Sequence, residues 1–150
     1  MYALMIAMNI CSNGQAVCAK TVASLRQRYL RDEADPLSQL QYHRALWRLR
    51  DYKRYQYTLS QRCFAVPEPD LRVRVDAGKV EAVFQLPQGR QLSPLPAEAL
   101  CMEDYFEHIG RALRTDSESV WVEYDSESGY PLSIVIGVEA PSAALEALIA

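Results

Sequence analysis

Five runs in this chain alternate apolar with polar residues, and that period of two constrains the fold more than any other feature of the sequence. In the first run Tyr55, Tyr57, Leu59 and Cys63 are separated by Gln56, Thr58, Ser60 and Arg62. Leu71, Val73 and Val75 alternate with Arg72 and Arg74, and the third run carries Val80, Ala82, Phe84 and Leu86. Val120, Val122 and Tyr124 form the fourth, and Leu132, Ile134 and Ile136 the fifth. Successive side chains of a strand point to opposite faces, so each run predicts a strand with one buried face. The second and third are joined by "DAGK", where Gly78 supplies the freedom a tight turn needs, predicting a hairpin over 71–86. The fourth and fifth are joined by "DSESGYP", predicting a hairpin over 119–137.

Other stretches follow a period of three to four. Asp35-Pro36 reads as a helix start, Asp capping free N–H groups and Pro fitting the first turn. From there Leu37, Leu40, Tyr42, Leu46, Leu49 and Tyr52 give an amphipathic helix to about Lys53, and Thr21 to Arg31 is helical as well. Met102, Tyr105, Phe106, Ile109, Ala112 and Leu113 make the cleanest stripe, a helix over 102–114. The segment with Pro87, Gly89, Pro94 and Pro96 is a loop. The expected architecture is α+β: an antiparallel sheet of about five strands, with the N-terminal helices and helix 102–114 packed on one face. No repeat or linker divides residues 20–150, which read as a single domain.

The first 19 residues, "MYALMIAMNICSNGQAVCA", carry no charge and run apolar from Tyr2 to Ile10 before ending in a small residue. This is the order of a signal peptide cleaved after Ala19, without the basic n-region; the other reading makes it a buried part of the fold. The run is too short for a stable membrane span. Ile10 disfavours a lipid anchor on Cys11, because such sites take a small residue before the cysteine. Cleavage would leave Cys63 and Cys101, which in an oxidising compartment are a candidate disulfide and otherwise two separate buried thiols. Nothing in the Cys and His spacing resembles a zinc site, so no metal and no cofactor is expected.

A net charge of -3 gives no reason to expect a nucleic-acid partner, although basic residues crowd the chain before Arg62. His43 and His108 sit on predicted helices among polar neighbours. His108 lies one turn from Asp104, a spacing more typical of a solvated contact than of a general base. No catalytic motif is present, and catalysis is not expected. The aromatic residues Trp47, Tyr52, Tyr55 and Tyr57, with Phe106 and Trp121, are either core or the lining of a concave sheet that binds an apolar or peptide-like ligand. The "DSESGYP" loop has two readings too. Asp125 is suited to bond backbone amides, Gly129 to take a positive φ, and Pro131 to begin a strand, which makes the loop structural. Alternatively Asp125, Glu127 and Tyr130 form a ligand-facing loop.

"YQYTLSQRCF", "VRVDAGKVEAV", "CMEDYFEHI" and "VWVEYDSESGYPLSI" resemble, in order and spacing, the bacterial domain of unknown function 6174 family, over about Trp47 to Ile136. That resemblance implies a small exported envelope protein with a leader, and no established activity. The chain departs from the family pattern at Ala65, where a second cysteine is frequent, and at Cys101, where Thr or Ser usually opens the helix. A disulfide to Cys63, or a thiolate stabilised by the helix N-terminus, would each account for Cys101. Beyond Ile136 the family tends to continue with acidic positions and another strand, whereas this chain is Ala-rich. The expected function is a secreted or periplasmic non-catalytic module that binds an unknown ligand or envelope protein. The alternatives are a thiol-active protein using Cys101, and a cytosolic protein if the leader stays uncleaved.

Overall fold

In the computed structural model, which describes residues 2–9, 18–32, 34–62, 68–116 and 119–137, the alternating runs are strands and the striped runs helices. In chain order they are β1 (Tyr2–Asn9), α1 (Ala19–Tyr29), α2 (Pro36–Arg50), β2 (Arg54–Arg62), β3 (Leu71–Asp76), β4 (Lys79–Gln85), β5 (Arg90–Gln91), α3 (Met102–Thr115), β6 (Val120–Tyr124) and β7 (Pro131–Ile136). Among the described residues the strands make one antiparallel sheet in the order β5-β4-β3-β2-β1-β7-β6. Register places Tyr57 opposite Met8 and Val73, and Leu59 opposite Ile6 and Leu71, so these side chains share a face. Met102, Tyr105, Phe106, Ile109 and Leu113 of α3 join them in the core, with Leu40 and Trp47 of α2. The protein is therefore α+β, as its periodicities predict.

Among the described residues the sheet has seven strands, not about five, and the two additional ones have different causes. β5 is two residues long, too short to display any period. β1 is the apolar run that resembles a leader, and here it is a central strand, paired with β2 on one side and β7 on the other. Ala3 and Ile6, which point to opposite faces, are both buried. Where both faces are covered, as at Ala3 and Ile6, a strand needs no alternation, and its composition then matches that of a leader.

Local chemistry sets the ends of the elements. The Asp35 carboxylate accepts from the Leu37 N–H and the Ser38 hydroxyl, with Pro36 in the first turn. α2 stops at Arg50, short of Lys53, because Asp51 turns left-handed at φ 51°. In the β3–β4 turn Ala77 and Gly78 take φ of 51° and 78°, the mirror-image turn that matches the twist of a hairpin.

The β6–β7 loop is built on Asp125. Its Oδ2 accepts from the N–H groups of Glu127 and Ser128, at 3.2 and 2.7 Å, and its N–H donates to the Tyr130 carbonyl. Gly129 has φ 84° and lies so close to α2 that a Cβ there would overlap the His43 carbonyl oxygen. Arg50 Nε donates to the Glu127 carbonyl, and the Tyr52 hydroxyl lies 3.3 Å from that of Ser128. The loop thus locks the C-terminal half of α2 against the sheet end.

Candidate functional site

Where α2 ends and β2 begins, the chain reverses beside the N-terminus of α3, and a cleft of about 400 Å³ opens there. Trp47, Arg48, Tyr52, Lys53, Tyr55 and Cys101 contribute to its lining. Helical spacing carries Trp47 inward on α2, and strand alternation carries Tyr55 to the same side. Trp47 is the centre of the aromatic wall. Its ring lies 5.2 Å from Tyr55, edge-on, 5.3 Å from Tyr52 and 6.3 Å from Tyr130, separations in the range where edge-to-face aromatic pairs attract.

The charges along the cleft are already paired. Arg48 Nε lies 3.1 Å from Glu103, and Lys53 Nζ 2.8 Å from Asp51. Arg44 extends the first pair into a grid between α2 and α3, bonding both Glu103 and Glu107. The Arg44 guanidinium holds the Glu107 carboxyl below its usual range. Exposed pairs of this kind add little stability, and their effect here is to leave the cleft with compensated charge.

At the inner end of the cleft stands Cys101, the N-cap of α3, whose side chain makes no capping hydrogen bond. The missing cap is supplied from β2. The Met102 N–H, one of the free donors of the first turn, donates to the Tyr55 hydroxyl at 2.9 Å. Next to it the Tyr57 hydroxyl bonds both carbonyl and N–H of Leu100 and lies 2.9 Å from the Tyr105 hydroxyl, which in turn donates to the Glu98 carbonyl. Burial pushes all three phenols up, Tyr105 to about 12. They are hydrogen-bonding struts between sheet and helix.

The Cys101 thiol donates to Asp104 Oδ2 at 3.3 Å. Burial pushes this thiol above its ordinary value, and the bond to the Asp104 carboxylate adds to the rise, while the backbone N–H groups of Glu103 and Asp104 pull the other way. A thiolate stabilised by the helix N-terminus is therefore not what this environment favours. Cys101 carries a free thiol, so the Cys63–Cys101 bridge has no support here, and Cys63 itself lies outside the described residues. Ala65 lies outside them too.

The aromatic residues singled out from sequence separate into three groups. Trp47, Tyr52 and Tyr55 line the cleft; Tyr57 pairs with Tyr105, and Phe106 is fully buried in the core; Trp121 stands on β6, 40% exposed. Of the "DSESGYP" residues, Asp125 spends its carboxylate on the loop's own amides, Glu127 is exposed, and Tyr130 faces Trp47. Gly129 and Pro131 are buried where the loop meets α2 and β7. The ion-pair grid was missed from sequence. Its signal is there in retrospect: arginines at 44 and 48 and glutamates at 103 and 107 repeat at one helical turn on two helices.

The histidines do not meet. His43 stacks on Tyr124 at 4.2 Å, and its Nδ1 lies 2.7 Å from the Gln39 carbonyl. Burial holds its imidazole below the ordinary range. His108 is exposed on α3, beside a second cleft of about 450 Å³. Among the described residues no group of three His, Cys, Asp or Glu side chains is placed to hold a metal ion, and no helix is long and apolar enough to cross a membrane.

Fold and cleft define a small α+β protein whose antiparallel sheet carries an aromatic-walled recess at one helix end. Residues 39–147 match the family of unknown function (DUF6174), and the chain belongs to that family. No curated protein and no solved structure matches it.

Proposed function

We propose that this protein is a non-catalytic binding module of the cell envelope, and that the cleft at the α2–β2 junction takes a neutral ligand with an apolar or aromatic body, such as a peptide side chain. One observation carries this reading. The cleft pairs an aromatic wall around Trp47 with charges that are already compensated by Glu103 and Asp51. A charged ligand would have to displace those partners, whereas an apolar one needs only to cover the rings. Titration of isotope-labelled protein with N-acetyltyrosinamide and N-acetyltryptophanamide tests it. Amide shifts concentrated at Lys53, Gly78 and Cys101 are expected. Silence there at millimolar probe, or shifts confined to the cleft beside His108, sets the reading aside.

The envelope location rests on the family resemblance, because the uncharged apolar start of the chain, which resembles a leader, is here the central strand β1. Cleavage after Ala19 would remove β1 along with the leader, so the two possibilities differ in fold as well as in mass. The intact mass of protein expressed from its own start distinguishes them: a chain from Lys20 supports export, and a chain keeping Met1 in the cytoplasm makes the protein cytosolic.

A further inference from the structure

Two side chains in the wall of the cleft at the α2–β2 junction carry a donor hydrogen that has no acceptor. Trp47 is 6% exposed and Tyr55 4%, and both line the cleft. An indole N–H or a phenol O–H withdrawn from water this far ordinarily finds an acceptor in the protein. Tyr57 and Tyr105 follow that rule, donating to the Leu100 and Glu98 carbonyls. Tyr55 does not: its hydroxyl accepts from the Met102 N–H, and its own proton has no acceptor among the described residues. The Trp47 indole N–H has none among them either. Every sealed side-chain nitrogen or oxygen among the described residues has a partner, so an indole nitrogen without one reaches open space, and the space that Trp47 lines is this cleft.

The two donors stand together, on rings 5.2 Å apart. Their neighbours in the wall are already engaged. Glu103 takes Arg44 and Arg48, Asp51 takes Lys53, the Tyr52 hydroxyl meets Ser128, and the Cys101 thiol donates to Asp104. What the lining side chains hold open is thus aromatic surface and two donors.

A ligand that matches is apolar in body, accepts hydrogen bonds and has few to donate. An ordinary peptide brings one N–H with every carbonyl, and those N–H groups would lose water in front of carboxylates that have partners already. Proline brings the carbonyl alone. Its ring packs on aromatic faces, and a run of prolines holds the extended polyproline II form before it binds, so little freedom is lost on docking. We propose that the cleft recognises a proline-rich segment of a partner protein, with the Trp47 indole N–H and the Tyr55 hydroxyl donating to its main-chain carbonyls. This rests on the reading of the cleft as a site for a neutral apolar ligand and names the class of that ligand.

Octaproline is the probe, and the indole N–H is the reporter. The chain has two tryptophans, so isotope-labelled protein gives two indole signals, which W121F assigns; Trp121, 40% exposed on β6, is the internal control. As octaproline is added, the Trp47 indole signal is expected to move downfield and its exchange with water to slow, while Trp121 stays in place. A glycine–serine peptide of equal length should leave both signals unchanged. Y55F, with its fold checked by its amide spectrum, should bind octaproline about fivefold more weakly, the loss of one hydrogen bond. Should Y55F fail to fold, the indole signal of the unmodified chain decides alone. Octaproline that shifts the amides of Lys53, Gly78 and Cys101 but leaves the Trp47 indole unmoved overturns the proposal, and so does an equal response to the glycine–serine peptide. If octaproline is silent while N-acetyltryptophanamide still shifts those amides, the proline assignment falls and the cleft remains a site for rings. Silence from both removes the cleft reading itself.

Discussion

Helices α1 and α3 both begin at a cysteine, and neither sulfur caps its helix. Cys18 stays in solvent, 3.1 Å from the Thr21 hydroxyl, and hydrogen bonding to Thr21 holds its thiol below the ordinary range. Cys101 is buried, and burial raises its thiol. The helices diverge in the same way. α3 buries Met102, Tyr105, Phe106, Ile109, Gly110 and Leu113, while α1 buries nothing. Two starts that look alike in sequence become opposites because one meets Tyr55 of β2 and the other meets water. A cap read from its own residue misses what the sheet supplies.

Packing should give the widest difference between the two. Phe106→Ala empties a site with no exposed surface on α3 and is expected to cost about 3–5 kcal/mol in urea unfolding. Leu25→Ala on α1, at a half-buried position, is expected to cost less than about 1 kcal/mol. Similar midpoints for the two variants would mean that α1 is anchored as firmly as α3.

The next effect asks whether surroundings decide as much for the backbone. Gly129 and Gly78 have φ of 84° and 78°, but a Cβ meets the His43 carbonyl at the first and open space at the second. Gly129→Ala is expected to lose about 2–3 kcal/mol and Gly78→Ala about 1 kcal/mol. Equal losses in thermal denaturation would trace both to φ alone.

Tyr55→Phe takes away the acceptor of the Met102 N–H without changing the ring, and a loss of about 1–2 kcal/mol is expected. Hydrogen exchange should speed at the Met102 amide and stay unchanged through α1; an unaffected Met102 would show that the α3 cap does not come from β2. The smallest effect is in the thiols. At neutral pH maleimide should label Cys18 on the order of tenfold faster than Cys101, since exposure and thiolate fraction favour the same site. Equal rates would erase the contrast.

Much of the fold was legible because most of it is written in local periods. The stripe Met102–Leu113 and the alternation through Leu71–Val75 each bury one face, so composition and burial repeat together. In β4, by contrast, a register shift at Arg74/Val75 turns Val83 inward opposite Val73 and sets Ala82 and Phe84 opposite Arg74 and Arg72, against the alternation of Val80, Ala82, Phe84 and Leu86 expected from sequence. β1 obeys no such rule, since it is paired on both edges and buries Ala3 and Ile6 on opposite faces, and its apolar run has the same composition as a leader. The cleft was half legible. Trp47 and Tyr55 stand close enough in sequence to be grouped, but Tyr57, Phe106 and Trp121 share only their ring chemistry with them and are carried elsewhere by strand parity and helix phase. The link from Tyr55 to Met102 spans loops whose geometry no local pattern encodes.

The pairing of Tyr2 with Ile136 has a consequence in time. Of the strands described, the first to leave the ribosome is hydrogen-bonded to the last. β2 can pair with β1 early in synthesis, but the other edge of β1 stays open until β7 has emerged. The order of manufacture therefore keeps a central strand as a temporary border, and the sheet closes only as a late, long-range event of the kind that slows folding. During that interval, the edge destined for β7 is open to pairing with other strands.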